Sequence, residues 1–150
     1  MRKMFWFMLL VLLAGCSTST IVYDPVALSS GDPETAEMVV IRDATYFPGQ
    51  LDSTQDHWVV AVDGRNYAGL GFGQYTKFQA SAGEAHELAV KRQDIWWHKE
   101  ILPVLLEPGK KYYYLTGVKD HTMVGITQIS EEEGQAWMAR SSYVQVSNPK

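Results

Sequence analysis

Apolar residues fall into three regimes along the chain. Met4 to Leu13 is one unbroken apolar run. Ser17 to Ala36 has no sustained apolar period, and from Met38 onward apolar positions return in short runs broken by turn residues. Short alternating runs separated by Gly, Pro, Asn and Asp are the signature of an all-β domain.

The alternation predicts eight strands and one helix. Met38 to Asp43 reads as a first strand with Val39 and Ile41 pointing inward. Trp58, Val60 and Val62 form the inward face of a second, and Asp63-Gly64-Arg65-Asn66 supplies the positive φ of a tight hairpin. Tyr67 to Leu70 returns as a third strand. The glycines at 69, 71 and 73 mark a bulge or turn, because no helix and no Lys-Ser/Thr follows them to make a phosphate loop. Tyr75 to Ala80, with Phe78 inward, is expected to form a hairpin with the strand carrying His86, Leu88 and Val90.

Lys99 to Glu107 places Leu102, Val104 and Leu106 inward. Pro103 makes it an edge strand or a bulge, since proline cannot donate to a ladder. Glu107-Pro108-Gly109-Lys110 has the residues of a type II turn. Lys111 to Gly117 follows, with Tyr112 and Tyr114 on a core face and Tyr113 at the surface, and Met123 to Ile129 is the last strand.

Ser130 and Glu133 then make a capping box for a helix that packs through Trp137 and Met138 and is weakened by Gly134. Ser141 to Lys150 is a final extended segment. Strands of this number and length bury their apolar faces by packing two sheets, so the expectation is an antiparallel β-sandwich of seven or eight strands.

The start of the chain changes the picture from a plain domain to an addressed one. Arg2-Lys3 precedes the apolar run, which has ten residues against the roughly 20 a membrane-spanning helix needs. A basic start, a short apolar run and small residues make a secretory signal. Leu13-Ala14-Gly15-Cys16 ends it, and this resembles the bacterial lipobox at all four positions. The resemblance implies cleavage before Cys16 and a diacylglycerol on its thiol. Ser17, in place of the Asp that favours inner-membrane retention, implies an outer-membrane anchor. The divisions expected are a signal over 1–15, a lipidated tether over 16–36 rich in Ser, Thr and Pro, and a sandwich over 37–150.

Charge and cysteine count narrow the partners. Losing Arg2 and Lys3 leaves 13 − 2 = 11 basic against 17 acidic residues, a net charge of −6. An acidic domain argues against nucleic acid as a partner. Cys16 is the sole cysteine, so no intrachain disulfide can form and no cysteine remains as a nucleophile. The histidines at 57, 86, 98 and 121 lack metal-ligand spacing, and no Gly-x-Ser-x-Gly elbow is present. No catalytic residue, metal or cofactor is therefore expected. The chemistry-bearing candidate is Trp96-Trp97. Neighbours on a strand cannot both point inward, and an exposed tryptophan can stack on a sugar or anchor a protein.

Val59-Val60-Ala61-Val62-Asp63-Gly64, then Gly73-Gln74-Tyr75, Gly83 leading into Glu84-Ala85-His86-Glu87-Leu88, and Pro108-Gly109-Lys110-Lys111-Tyr112-Tyr113 occur in that order. This order resembles small bacterial lipoproteins of unknown function that carry a transthyretin-like or carboxypeptidase-regulatory-like β-sandwich. It covers Met38 to Gly117, and Trp96-Trp97 has no place in it. The resemblance implies the fold and an envelope location and brings no catalytic residue. The expectation is a lipid-anchored, non-enzymatic binding or structural module facing the periplasm, held to the membrane through Cys16. Its partner would be an envelope protein or cell-wall glycan. The alternative is a hydrolase or accessory factor acting on envelope polymers.

Overall fold

A computed structural model describes residues 34–43, 57–92, 99–119 and 123–145 of the chain. They form nine strands and one helix in two packed sheets. One sheet has the order β8-β7-β1-β4-β9 and the other β3-β2-β5-β6. The strands are β1 (Thr35–Arg42), β2 (Trp58–Val62), β3 (Arg65–Leu70), β4 (Gln74–Ser81), β5 (Ala85–Arg92), β6 (Lys99–Leu105), β7 (Lys111–Lys119), β8 (Met123–Ile129) and β9 (Ser142–Tyr143). The helix α1 is Glu131–Met138. The β-sandwich with one short helix is thus the fold; β9 is the strand the alternation does not predict, and the sandwich is not wholly antiparallel, because β1 pairs with β7 and β4 with β9 in parallel.

Met38, Val40, Trp58, Val60, Val62, Phe78, Leu88, Val90, Leu106 and Tyr114 make the core between the sheets. Trp58, Val60 and Val62 face it as their spacing requires. β1 does not follow its expected parity. Val39 and Ile41 turn to the outer face, where they pack with Tyr113 against Trp137 and Met138 of α1. The reason lies in the position of β1 at the centre of a sheet covered on both faces. Seven of its eight residues are buried, and such a strand shows no alternation to read.

Tyr113 is corrected in the same way. It is 4% exposed and lies beneath α1, while Tyr114 takes the inter-sheet core as expected. Gly134 is the reason α1 can sit so low, because a Cβ there would overlap the Tyr113 ring. The glycine that weakens the helix is what lets it dock. The capping box is present: Ser130 Oγ accepts from Glu133 N–H at 3.3 Å and Ser130 N–H donates to Glu133 Oε2 at 3.0 Å.

β4 and β5 are not a hairpin. β4 pairs with β1 and β9, whereas β5 pairs with β2 and β6. The residues between Ser81 and Ala85 form an arch from one sheet to the other. Its amides are drawn elsewhere: Ala82 N–H donates to Glu34 O and Gly83 N–H to Leu106 O, each at 2.8 Å. By contrast Asp63 (φ 50°) and Gly64 (φ 78°) do close the β2–β3 hairpin. β6 is an edge strand, as Pro103 requires.

These connections define two poles. The near pole holds Glu34 at the start of β1, the 63–64 turn, the arch and the 107–110 turn. Backbone bonds Gly109 N–H to Thr35 O and Glu37 N–H to Lys110 O tie it together. The far pole holds the described chain ends at Asp43, Arg92 and Lys99, and the turn at Gly71 to Gly73.

Candidate functional site

Each pole is closed by a basic side chain that points into the gap between the sheets. At the far pole Arg42 continues the inward parity of Ala36, Met38 and Val40 out of β1 and is fully buried. Its guanidinium lies 4.2 Å from the centroid of Trp58 and 4.0 Å from that of Phe72, and Nη1 donates to Leu70 O at 2.8 Å. A planar, weakly hydrated guanidinium tolerates such a slot where an ammonium would not. Arg42 thereby bolts β1 of one sheet to β2 and β3 of the other.

At the near pole the plug is His86, the first inward residue of β5 and 6% exposed. Its Nδ1 is 2.7 Å from Asp63 Oδ2, and its Nε2 is 2.9 Å from Ser81 O and 3.4 Å from Ser81 Oγ. Asp63 Oδ1 in turn accepts from Glu87 N–H at 2.9 Å. The hairpin turn, β5 and the end of β4 therefore meet on one imidazole. They line a cavity of about 350 Å³ with Val62, Arg65, Tyr67 and Ala80.

Both atoms facing the ring nitrogens are acceptors. A carbonyl oxygen can only accept, so Nε2 carries a proton. Burial disfavours the ionised Asp63, yet the Glu87 amide and His86 outweigh it and hold the carboxyl below its ordinary 3.8. Burial likewise opposes charge on His86, but the bond to Asp63, the Ser81 carbonyl and the charges of Asp63 and Glu84 raise it above 6.5. An ionised Asp63 requires a protonated Nδ1 as well. With an acceptor facing each ring nitrogen, this geometry favours the imidazolium form of His86.

Asp63, His86 and Ser81 stand in the order of a hydrolytic triad, and the differences from one are chemical. The Ser81 hydroxyl donates to Glu84 Oε1 and not to the imidazole. While the ring is doubly protonated it cannot accept that proton. The backbone N–H groups of Ala82 and Gly83, which would be the nearest oxyanion donors, are already given to Glu34 and Leu106. The arrangement suits a clamp between sheets.

Among the described residues, no group of three or more His, Cys, Asp or Glu side chains is placed to hold a metal ion, and no helix is long and apolar enough to cross a membrane. Cys16, Trp96 and Trp97 lie outside the described residues, as do His98 and His121. His86 and Glu87 do take opposite faces, as their neighbouring positions require. The His86–Asp63 pair is a feature that motif spacing does not reveal. A histidine on the inward parity of a strand, with an aspartate in a neighbouring turn, is the signal that could have found it.

Comparison of the chain with family models, curated proteins and solved structures yields no match in any of the three.

Proposed function

We propose that this chain is a lipid-anchored protein of the bacterial envelope whose sandwich serves as a binding module without catalysing a reaction. The observation that carries the reading is Leu13-Ala14-Gly15-Cys16 at the end of a short apolar run with a basic start. The kinship with small envelope lipoproteins of transthyretin-like fold belongs to the same proposal. With two or more acyl chains, attachment at Cys16 would be stable where one is marginal.

The polarity of the fold supports the reading. β1 begins at the near pole, so a tether from Cys16 reaches the sandwich there. The near pole carries Glu34, Glu37, Asp63, Glu84 and Glu107 against Arg65, His86, Lys110 and Lys111, an acidic balance that favours standing off an anionic bilayer. Arg92 and Lys99, which flank the segment containing Trp96 and Trp97, sit at the far pole. That pole would face away from the membrane and toward an envelope protein or cell-wall glycan. Cys16→Ser should move the protein out of the membrane fraction or leave an unprocessed precursor. Trp96→Ala with Trp97→Ala should abolish capture of the envelope partner while the far-ultraviolet spectrum stays β-type. Unchanged fractionation of a normally processed mature form of Cys16→Ser would overturn the anchor, and unchanged capture by the double variant would overturn the patch.

The rival reading, a hydrolase acting on envelope polymers, has the order Asp63, His86, Ser81 in its favour. The occupied Nε2 and the committed Ala82 and Gly83 amides weigh against it. Labelling of Ser81 by a fluorophosphonate probe, lost in Ser81→Ala, would favour the hydrolase instead.

A further inference from the structure

His86 reaches more than its two partners, because the groups it holds are themselves holding the start of the sandwich. Ser81 O, which accepts from Nε2, begins the arch whose next two amides bond Glu34 O and Leu106 O. Glu34 is where the described chain leads back toward the amino terminus, and Leu106 precedes the 107–110 turn that binds Thr35. One ring therefore stands at the head of a series of bonds ending at the exit of the amino-terminal segment. We propose that His86 is a proton-operated latch, which in its doubly protonated form fastens the arch between Ser81 and Ala85 and on deprotonation loosens it.

The surroundings of the ring determine which bond breaks. From the β2–β3 hairpin Asp63 faces Nδ1, with Arg65 beside it acting on Asp63. From the arch Glu84 Oε1 lies 3.9 Å from Nε2, and from β4 Ser81 presents its carbonyl. The residue paired with His86 on β6 is Val104, which brings no charge. On its own strand, Glu87 turns its side chain outward and contributes its amide to Asp63. A neutral imidazole keeps one N–H. The carboxylate at 2.7 Å is the stronger acceptor and retains it, and the proton lost to solvent comes from Nε2. Nε2 then presents a lone pair to the Ser81 carbonyl at 2.9 Å, the Ser81 hydroxyl 3.4 Å away is given to Glu84, and the arch loses its bond to the imidazole. Asp63 stays in place on the Glu87 amide, so the hairpin is kept while the arch is freed. The latch is built from described residues and does not depend on lipidation at Cys16.

The test is nuclear magnetic resonance on the full chain in detergent micelles, labelled with nitrogen-15. At pH 6 the His86 ring nitrogens should both show the protonated signature. Between pH 6 and pH 9, exchange protection of the Ala82 and Gly83 amides, corrected for intrinsic rates, should fall by at least about tenfold as one local bond is lost. Protection of Val40 and Val60 in the ladders should hold. Asp63→Asn removes the carboxylate and should move the release to lower pH by roughly one unit. A neutral His86 tautomer at pH 6, or Ala82 and Gly83 protection that does not change across the range, overturns the latch. If Asp63→Asn does not fold, the wild-type pH series by itself still supports or overturns the latch.

Discussion

Gly134 of α1 lies directly on the ring of Tyr113 of β7. A Cβ built at 134 would overlap Cδ1 and Cγ of that ring and come within 2.9 Å of its Cβ. By helix propensity alone, Gly134→Ala gains about 1 kcal/mol. Overpacking against a buried ring whose own Cβ is fixed by a central strand costs about 1–3 kcal/mol. The expected result is a net loss of stability, seen as a lower melting temperature. Adding Tyr113→Leu should recover part of it relative to Tyr113→Leu alone, because the obstructing ring is gone. A melting temperature raised by Gly134→Ala would show that α1 is not seated where the structure puts it.

Arg42 carries a second prediction. Arg42→Ala removes a guanidinium stacked between Trp58 and Phe72 and leaves the buried Leu70 carbonyl without that donor. Desolvated cation–π contacts of about 2 kcal/mol and an unmet carbonyl of about 1–3 kcal/mol give a loss of roughly 3 kcal/mol. Arg42→Lys should recover little of it, since an ammonium neither stacks nor matches the slot. Chemical denaturation gives the loss, and a red-shifted tryptophan emission would report water reaching Trp58.

The His86–Asp63 pair fixes how stability varies with pH. The folded His86 is raised above 6.5, so its contribution is complete below that value and fades as pH climbs through the folded one. Asp63 is lowered below 3.8, so its contribution is present above 3.8 and lost as pH falls through the folded value. Stability from this pair is therefore greatest between about 4 and 6.5. Asp63 is half exposed, which screens the pair, so His86→Gln should cost only about 1–2 kcal/mol at pH 5.5 and less at pH 9. Urea denaturation of both proteins at the two values checks the sign. A larger penalty at pH 9 would contradict it.

The helix cap gives a smaller, cleaner number. Ser130→Ala removes the acceptor for Glu133 N–H and the partner of its carboxylate. That should cost about 1 kcal/mol. Bonds from the Ser130 backbone and hydroxyl also lower the Glu133 carboxyl below 4.5, so part of this loss should vanish when the protein is unfolded in acid, below the folded value. Denaturation midpoints followed from pH 6 down through the acid range measure the difference.

What is legible in the sequence follows a physical division. His86, Leu88 and Val90 alternate with Glu87, Ala89 and Lys91, so a half-covered face can be read from them. Within β1 the stretch Met38 to Ile41 is apolar throughout and covered on both sides, so that stretch holds no polar residue to settle its parity. Turns are legible where φ must be positive, at Asp63-Gly64 and Gly109. Gly83 (φ 86°) also turns the chain, but glycine alone does not say whether the next strand pairs with the last or crosses to the other sheet. That depends on Glu34 and Leu106, distant in sequence, taking the arch amides. Tyr113 escapes the pattern because its cover, α1, arrives from further along the chain. The His86 clamp needs three separate elements to be docked before any of its distances exist.

Lipid on Cys16 is what would hold the chain in the envelope, and intact-mass measurement of the protein extracted from bacterial membranes tests this most directly. The predicted mass is that of residues 16–150 plus a diacylglycerol and an amide-linked acyl chain, with the modification assigned to Cys16 on the amino-terminal peptide. A chain that retains Met1, or a mature form whose Cys16 thiol is unmodified, would contradict the account.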